Sequence, residues 1–253
     1  MIADNTKRFS DRVDNYVKYR PGYPDEVITY LQKEANLAGD TVVADIGSGT
    51  GIFTNLLLNK GYKVYAVEPN EAMQQAAKQQ LGANENFIPV DGAAEATTLK
   101  ANSVDLIVCA QAFHWFNDGR THIEFKRILK HGGHAALIWN NRQADTGEFS
   151  KAYENLLKQD AIDYNKVNHR NINEIDFKGF FSNGEYKAVK FSNEQAFDEA
   201  GLMGRAFSSS YVPAENATGG KKFRQLLKAL FDKYNKNGKV SFHYQTEVYF
   251  GGV

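Results

Sequence analysis

The chain carries one cysteine, five prolines and no net charge, and each shortage removes a class of function. Cys109 has no partner within the chain, so neither a disulfide framework nor a cysteine-rich zinc site is available, and a reducing, cytoplasmic setting is expected. Thirty Lys+Arg balance thirty Asp+Glu, which gives no overall attraction to phosphate backbones and argues against a nucleic-acid partner. Nowhere do enough apolar residues run together to span a bilayer, and Met1 to Ser10 lacks the apolar stretch of a secretory leader. Neither a membrane partner nor export by that route is expected. His131 and His134 have no cysteine nearby, and His122, His169 and His243 are scattered, so no metal is expected either. No Gly/Ser linker interrupts the 253 residues, which read as a single domain: an N-terminal flap (1–24), a ligand-binding core (25–140) and a C-terminal elaboration (141–253).

What is present is a rhythm. From Asp25 to Asn140, short β-branched runs alternate with longer amphipathic ones, the pattern of an α/β fold with a parallel sheet. Strands are predicted over 41–46, 63–67, 86–90, 104–110 and 134–140, and helices over 25–35, 53–60, 70–81 and 120–130. Gly61 reads as a left-handed helix stop and Asn70 as a cap, while Ile123, Ile128 and Leu129 form the sheet-packing side of their helix. Beyond Asn141 the rhythm loosens to a helix at 149–162, a polar loop at 165–173, a strand at 185–192, a helix at 221–234 and a last strand at 240–250. The flap mixes Phe9, Tyr16, Tyr19 and Tyr23 with Arg8, Arg12 and Arg20, which suits an aromatic and cationic cover better than a core helix.

The most informative residues are Asp45-Ile46-Gly47-Ser48-Gly49-Thr50-Gly51, at the end of the first strand and the opening of a helix. In an open parallel sheet, ligands bind at such strand ends, and glycines let backbone approach them closely. Twenty-one residues after Gly47, Glu68 ends the second strand, where a carboxylate can accept both hydroxyls of a ribose. Ile52 fills the third glycine position of a dinucleotide loop, and no Gly-Lys-Ser/Thr is present, so nicotinamide and triphosphate readings lose ground. Asp45 attracts an ammonium and repels a pyrophosphate. The ligand therefore carries a ribose and a cationic amine.

These residues resemble the class I S-adenosylmethionine-dependent methyltransferases. Val43 to Gly51 is similar to the first motif of that family, Val67-Glu68-Pro69-Asn70 to its ribose-binding strand end, and Gly92-Ala93-Ala94-Glu95 to its adenine-contacting turn. Val104 to Phe116, including Gln111, resembles the fourth strand with its exit into the active site, and Arg127 to Ile138 the turn into the fifth. Ala93 stands where many relatives carry Asp, which leaves the adenine amino group to backbone near Ala94 or to Glu95. Phe113-His114-Trp115-Phe116, Tyr16 to Pro24 and Ser208 to Pro213 resemble a small-molecule branch that includes trans-aconitate methyltransferase-like proteins. The resemblance implies a Rossmann-like, doubly wound sheet of seven strands, mostly parallel with an antiparallel last strand, and helices on both faces. It also implies S-adenosylmethionine as cofactor and a small-molecule methyl acceptor bearing a carboxylate or a hydroxyl.

Methyl transfer relies on positioning more than on a fixed set of catalytic groups. His114 is the candidate base, following the fourth strand. Arg20, Arg142 and Arg205 are candidates for holding an acid, although the ordinary place of an arginine is the solvated surface. Tyr19 and Arg20 are also candidates for the cofactor's carboxylate end, and Trp115, Phe116 and Tyr211 for the acceptor pocket. Two other readings compete: a cofactor-binding protein that performs no turnover, and an NAD(P)-dependent oxidoreductase.

Overall fold

A computed structural model describes residues 13–162, 164 and 174–253. Phe9, Arg8, Arg12, His169 and the polar loop expected at 165–173 lie outside the described residues. Five strands, β1 (Val42–Ile46), β2 (Lys63–Val67), β3 (Phe87–Val90), β4 (Val104–Ala110) and β5 (Leu129–Arg142), run parallel. β6 (Lys187–Phe197) and β7 (Val240–Gly251) complete a seven-stranded sheet in the order β3-β2-β1-β4-β5-β7-β6, with β7 antiparallel to both neighbours. Strand order reverses between β1 and β4, so the crevice outside their carboxyl ends is the natural ligand position.

The helices α2 (Asp25–Glu34), α3 (Ile52–Leu58) and α4 (Glu71–Leu81) cover one face. They bury Val27, Leu31, Phe53, Leu57 and Ala77 against Val43, Val64, Leu106 and Val248. α5 (Gly119–Ile128) and α7 (Glu174–Phe180) cover the other through Phe125, Ile128, Phe177 and Phe180. Ile123 departs from the expected packing side: it is 72% exposed, and Thr121 and Phe125 take the inward positions of α5. Asn70 caps α4 by accepting from the Met73 amide at 3.0 Å, and Gly61 adopts φ +86°, both as the sequence predicts.

A third core, Phe149, Tyr153, Leu157, Leu202, Phe223 and Phe242, joins α6 (Glu148–Asp160), α8 (Glu199–Phe207) and α9 (Thr218–Tyr234) to the outer part of β7. Within the flap, α1 (Val13–Tyr19) is a short helix that lies on α8 and near α4. Gly204 makes that seat: a Cβ at this position would overlap the Tyr19 ring. Among the described residues, no helix is long and apolar enough to cross a membrane.

Candidate functional site

The turn leaving β1 is built by three left-handed glycines, Gly47 (φ +70°), Gly49 (φ +57°) and Gly51 (φ +84°). Gly47 and Ser48 donate to the Val67 carbonyl at 2.9 and 3.1 Å, which ties the turn to the end of β2. A Cβ on Gly47 would come within 2.7 Å of the Ala112 Cβ and 3.2 Å of the Phe116 ring, so glycine is needed for the close approach of the β1 and β4 exits. Gly51 serves packing instead, since its missing Cβ makes room for Leu81 of α4.

A cleft of about 250 Å³ opens above this turn. Gly47, Gly49, Glu68, Pro69, Ala94, Glu95, Gln111 and Trp115, all singled out from sequence, line it together with Asn70, Met73, Phe116 and Tyr16 of α1. Glu68 is fixed by two backbone donors, with Gly49 N–H on Oε2 and Asn70 N–H on Oε1, each at 2.8 Å. Each oxygen keeps further acceptor capacity. Burial pushes the Glu68 carboxyl upward, and the two amides partly offset the rise. Gln111 holds φ +58°, an uncommon conformation for a residue with a Cβ. Its amide donates to Ile138 O at 2.8 Å and its side chain to Asn140 O at 3.2 Å, which secures the turn.

Asp45 and Ser48 belong to an adjoining recess lined also by Tyr16, Tyr23 and Ala110. Asp45 is 1% exposed; Thr54 of α3 donates to its Oδ2 at 2.6 Å, and Oδ1 is buried with no hydrogen-bond partner among the described residues. Burial raises the carboxyl to about 7, opposed by Thr54 and reinforced by Glu68. A buried, half-satisfied carboxylate of this kind can receive a cation. Thr54 escaped the sequence reading; its place nine residues after Asp45, on the side of α3 facing β1, was the available signal.

Other candidates are placed differently. His114 lies on a 3₁₀ turn (Phe113–Trp115), where its Nδ1 accepts from the Trp139 indole at 3.4 Å and its ring packs on Trp115. The cleft lining falls to its neighbours Trp115 and Phe116. Tyr19 sits in the Gly204 notch, away from the cleft lining. Asp105 is structural, accepting from Val42 N and Lys130 Nζ at 2.9 Å.

The arginines are not solvated. Arg20 lies behind Tyr16, with its guanidinium 4.7 Å from that ring and donating to Ser208 O at 3.0 Å. Arg205 is 7% exposed and donates to Ser209 Oγ at 3.0 Å and Tyr244 Oη at 3.3 Å. Arg142 donates to Glu154 Oε2 at 2.5 Å and lies 4.8 Å over the Tyr153 ring. Burial lowers Arg20, with Arg205 adding like-charge repulsion. Burial also acts against Arg205, but the surrounding tyrosines raise it overall. Three guanidiniums thus act together on Tyr211, with Glu154 as the carboxylate bonded to one of them, an arrangement suited to an anion.

Comparison with known proteins bears on the family and the fold. The profile of a family described as a methyltransferase domain matches residues 44–137. An uncharacterized methyltransferase of Geobacillus sp. is 30% identical over 202 residues, covering 75% of this chain and 92% of that protein. One from Mycobacterium tuberculosis is 35% identical over 144 residues, 57% of this chain. This chain spans only 56% of that mycobacterial relative's length. Among solved structures, a candidate type II methyltransferase of Anaeromyxobacter dehalogenans superposes with TM-score 0.72 at 22% identity, covering 92% of this chain and 98% of that one. A methyltransferase of Thiobacillus denitrificans, solved with S-adenosyl-L-homocysteine, covers 93% of this chain and 95% of its own at TM-score 0.52 and 17% identity. These two likenesses concern the fold.

Proposed function

The chain belongs to the methyltransferase family of S-adenosylmethionine-dependent enzymes, and from that premise we propose that it transfers a methyl group to a small-molecule acid. The observation that carries the cofactor reading is the buried, unpartnered Oδ1 of Asp45 beside the glycine turn. S-Adenosylmethionine has an ammonium to meet that atom, a ribose for Glu68 and an adenine for the Ala93-Ala94-Glu95 side of the cleft. The residues present fit the group.

When bound, the cofactor supplies a methyl on a sulfonium, already activated for displacement. The chain's own work is to hold, orient and exclude water. Asp45 and Glu68 fix two ends of the ligand, and the glycine turn admits it without side-chain interference. Tyr16 of α1, a cleft-lining residue, shields it from solvent. Orientation of this kind supplies on the order of 7–11 kcal/mol toward the barrier. Arg20, Arg142 and Arg205 form the acceptor grip, because buried guanidiniums bind carboxylates through charge-assisted hydrogen bonds.

Calorimetric titration with S-adenosylmethionine, S-adenosylhomocysteine and NAD in parallel tests the cofactor reading. Binding of the first two alone is expected, and binding of NAD alone would overturn it. A transfer assay with labelled cofactor and a panel of small acids separates an enzyme from a protein that binds the cofactor without turnover.

A further inference from the structure

We propose that Glu124, outside the cleft, is a positioning residue for the cofactor's base: with Arg127 it holds the Gly92 to Thr97 turn in the geometry that tells adenine from hypoxanthine. The inference rests on the cofactor reading above and deepens it. Ala93, Ala94 and Glu95 of that turn line the cleft, whereas Glu124 and Arg127 belong to α5 and take no part in the lining. The side chains of Ala93 and Ala94 are methyl groups, so polar recognition of a base at this end falls to the backbone of the turn and to the Glu95 carboxylate. Backbone groups discriminate between bases only when their positions are fixed.

The turn is held from within and from α5. Ala96 N–H donates to Ala93 O at 3.0 Å, and a Cβ on Gly92 would crowd Thr97 O at 3.0 Å and Ala96 O at 3.2 Å. Thr97 is fully buried and donates to Glu124 Oε1 twice, through its amide at 2.9 Å and its hydroxyl at 2.5 Å. Arg127 donates to both oxygens of Glu124 and to the Leu99 carbonyl, each at 2.7 Å. Between these two tied residues, Thr98 holds φ +63°, an unfavourable conformation for a β-branched side chain. Such strain persists only where the surroundings over-determine it, and it concentrates at ligand clamps. The Arg127 and Thr97 hydrogen bonds hold the Glu124 carboxyl down at about 2, so the clamp stays charged at any working pH.

Two substitutions release the turn without touching the cleft lining. Gln at position 124 has one acceptor oxygen and one NH2 group, so whichever way its amide turns, donor meets donor at Arg127 or at Thr97. Val at position 97 keeps the shape and the amide bond but removes the hydroxyl, which also accepts from the Leu99 amide at 3.3 Å. D105N serves as the control, because the bonds of Asp105 go to Val42 and Lys130.

The first test needs no ligand. Hydrogen–deuterium exchange of the full chain, read by mass spectrometry, is expected to quicken over residues 92–99 in E124Q and T97V and to stay as in wild type there in D105N. Unchanged exchange over that segment in both clamp variants overturns the proposal. The second test is calorimetric titration with S-adenosylhomocysteine and with S-inosylhomocysteine, in which a carbonyl oxygen replaces the amino group of the base. Wild type and D105N are expected to prefer the adenine ligand by about 5- to 150-fold, the worth of one base hydrogen bond made or left unmet. That preference should shrink toward unity in E124Q and T97V, a change that a merely structural tie would not produce. T97V, the milder change, decides where E124Q does not fold. A preference kept in the clamp variants, lost equally in D105N, or absent from wild type overturns the proposal. Failure of wild type to bind either ligand would instead refute the cofactor reading, and the ligand-free exchange measurement tells the two failures apart.

Discussion

Replacing Asp45 by Asn is expected to make the ligand-free protein more stable and a poorer cofactor binder. The carboxyl titrates at about 7 in the folded chain because it is buried beside Glu68 with one oxygen unpartnered. An unfolded chain gives it the ordinary value near 3.9. Between those values the native state binds more protons than the unfolded state, so stability falls as pH rises from about 4 to about 7 and stays low above. A rise of roughly three pK units corresponds to about 4 kcal/mol of native-state penalty at pH 8. Asn removes that penalty but leaves an amide where Oδ1 finds no partner, at a cost of about 1–3 kcal/mol. The net gain is on the order of 1–3 kcal/mol, worth about 5 °C in a chain of this size. Binding moves the other way. A hydrogen bond to a charged group is worth about 1.5–3 kcal/mol, so S-adenosylhomocysteine should bind D45N about 10- to 150-fold more weakly at pH 8. Wild-type affinity should also drop by up to about tenfold per pH unit below 7, and that slope should vanish in D45N. Calorimetric scans and titrations at pH 5.5 and 8 check both arms. A D45N protein that melts below wild type at pH 8, or that binds as tightly, refutes the reasoning.

Other substitutions probe separate parts of the molecule. Gly47→Ala forces a side chain onto φ +70° and against Ala112 and Phe116, so a loss of about 1–3 kcal/mol in urea unfolding, with S-adenosylhomocysteine binding impaired, is expected. Glu154→Gln leaves the buried Arg142 without its carboxylate and should cost about 3–5 kcal/mol, also read by urea unfolding. Gly204→Ala fills the notch that receives Tyr19; α1 should loosen, seen as faster proteolysis ahead of residue 25, with global unfolding changed by no more than about 1–3 kcal/mol.

The central sheet was readable because its strands are buried on both faces and its glycine turn has a spacing imposed by close backbone approach. β2 and β4 fall on their predicted residues, and β1 and β3 begin one residue later than predicted. β5 is longer than its apolar run, because Leu129 already pairs with Val104 and pairing resumes at His134, with Lys130 to Gly133 bulging between them and Gly132 at φ +77°. Ile123 shows the limit of periodicity: its spacing suits an inward position, yet the orientation of α5 is set by Phe125 and Ile128. The helix α8 was invisible, since Gly201 and Gly204 weaken it locally and its packing on α1, β6 and α9 stabilises it. The arginine cluster was unreadable for a related reason. Arg20, Arg142 and Arg205 lie far apart in sequence, and their burial follows from tyrosines and a glutamate that meet them only in the folded chain.

The seat of α1 also bears on how the protein is made. Its anchors are Ser208 O for Arg20, Asn193 and Asn140 for the Gly22 carbonyl, and Gly204 for the Tyr19 ring. The partners lie 118 to 188 residues downstream. A nascent chain that has emerged only through β5 can assemble its parallel strands and offer Asn140 and α4 to this segment, yet α1 lacks its main seat until α8 is synthesised. Until then the Tyr19 ring lacks its Gly204 notch, and the Tyr16 wall of the ligand cleft is held less firmly. Firm retention of a ligand therefore arrives late in translation, once Asn193 and Ser208 reach the segment around Arg20.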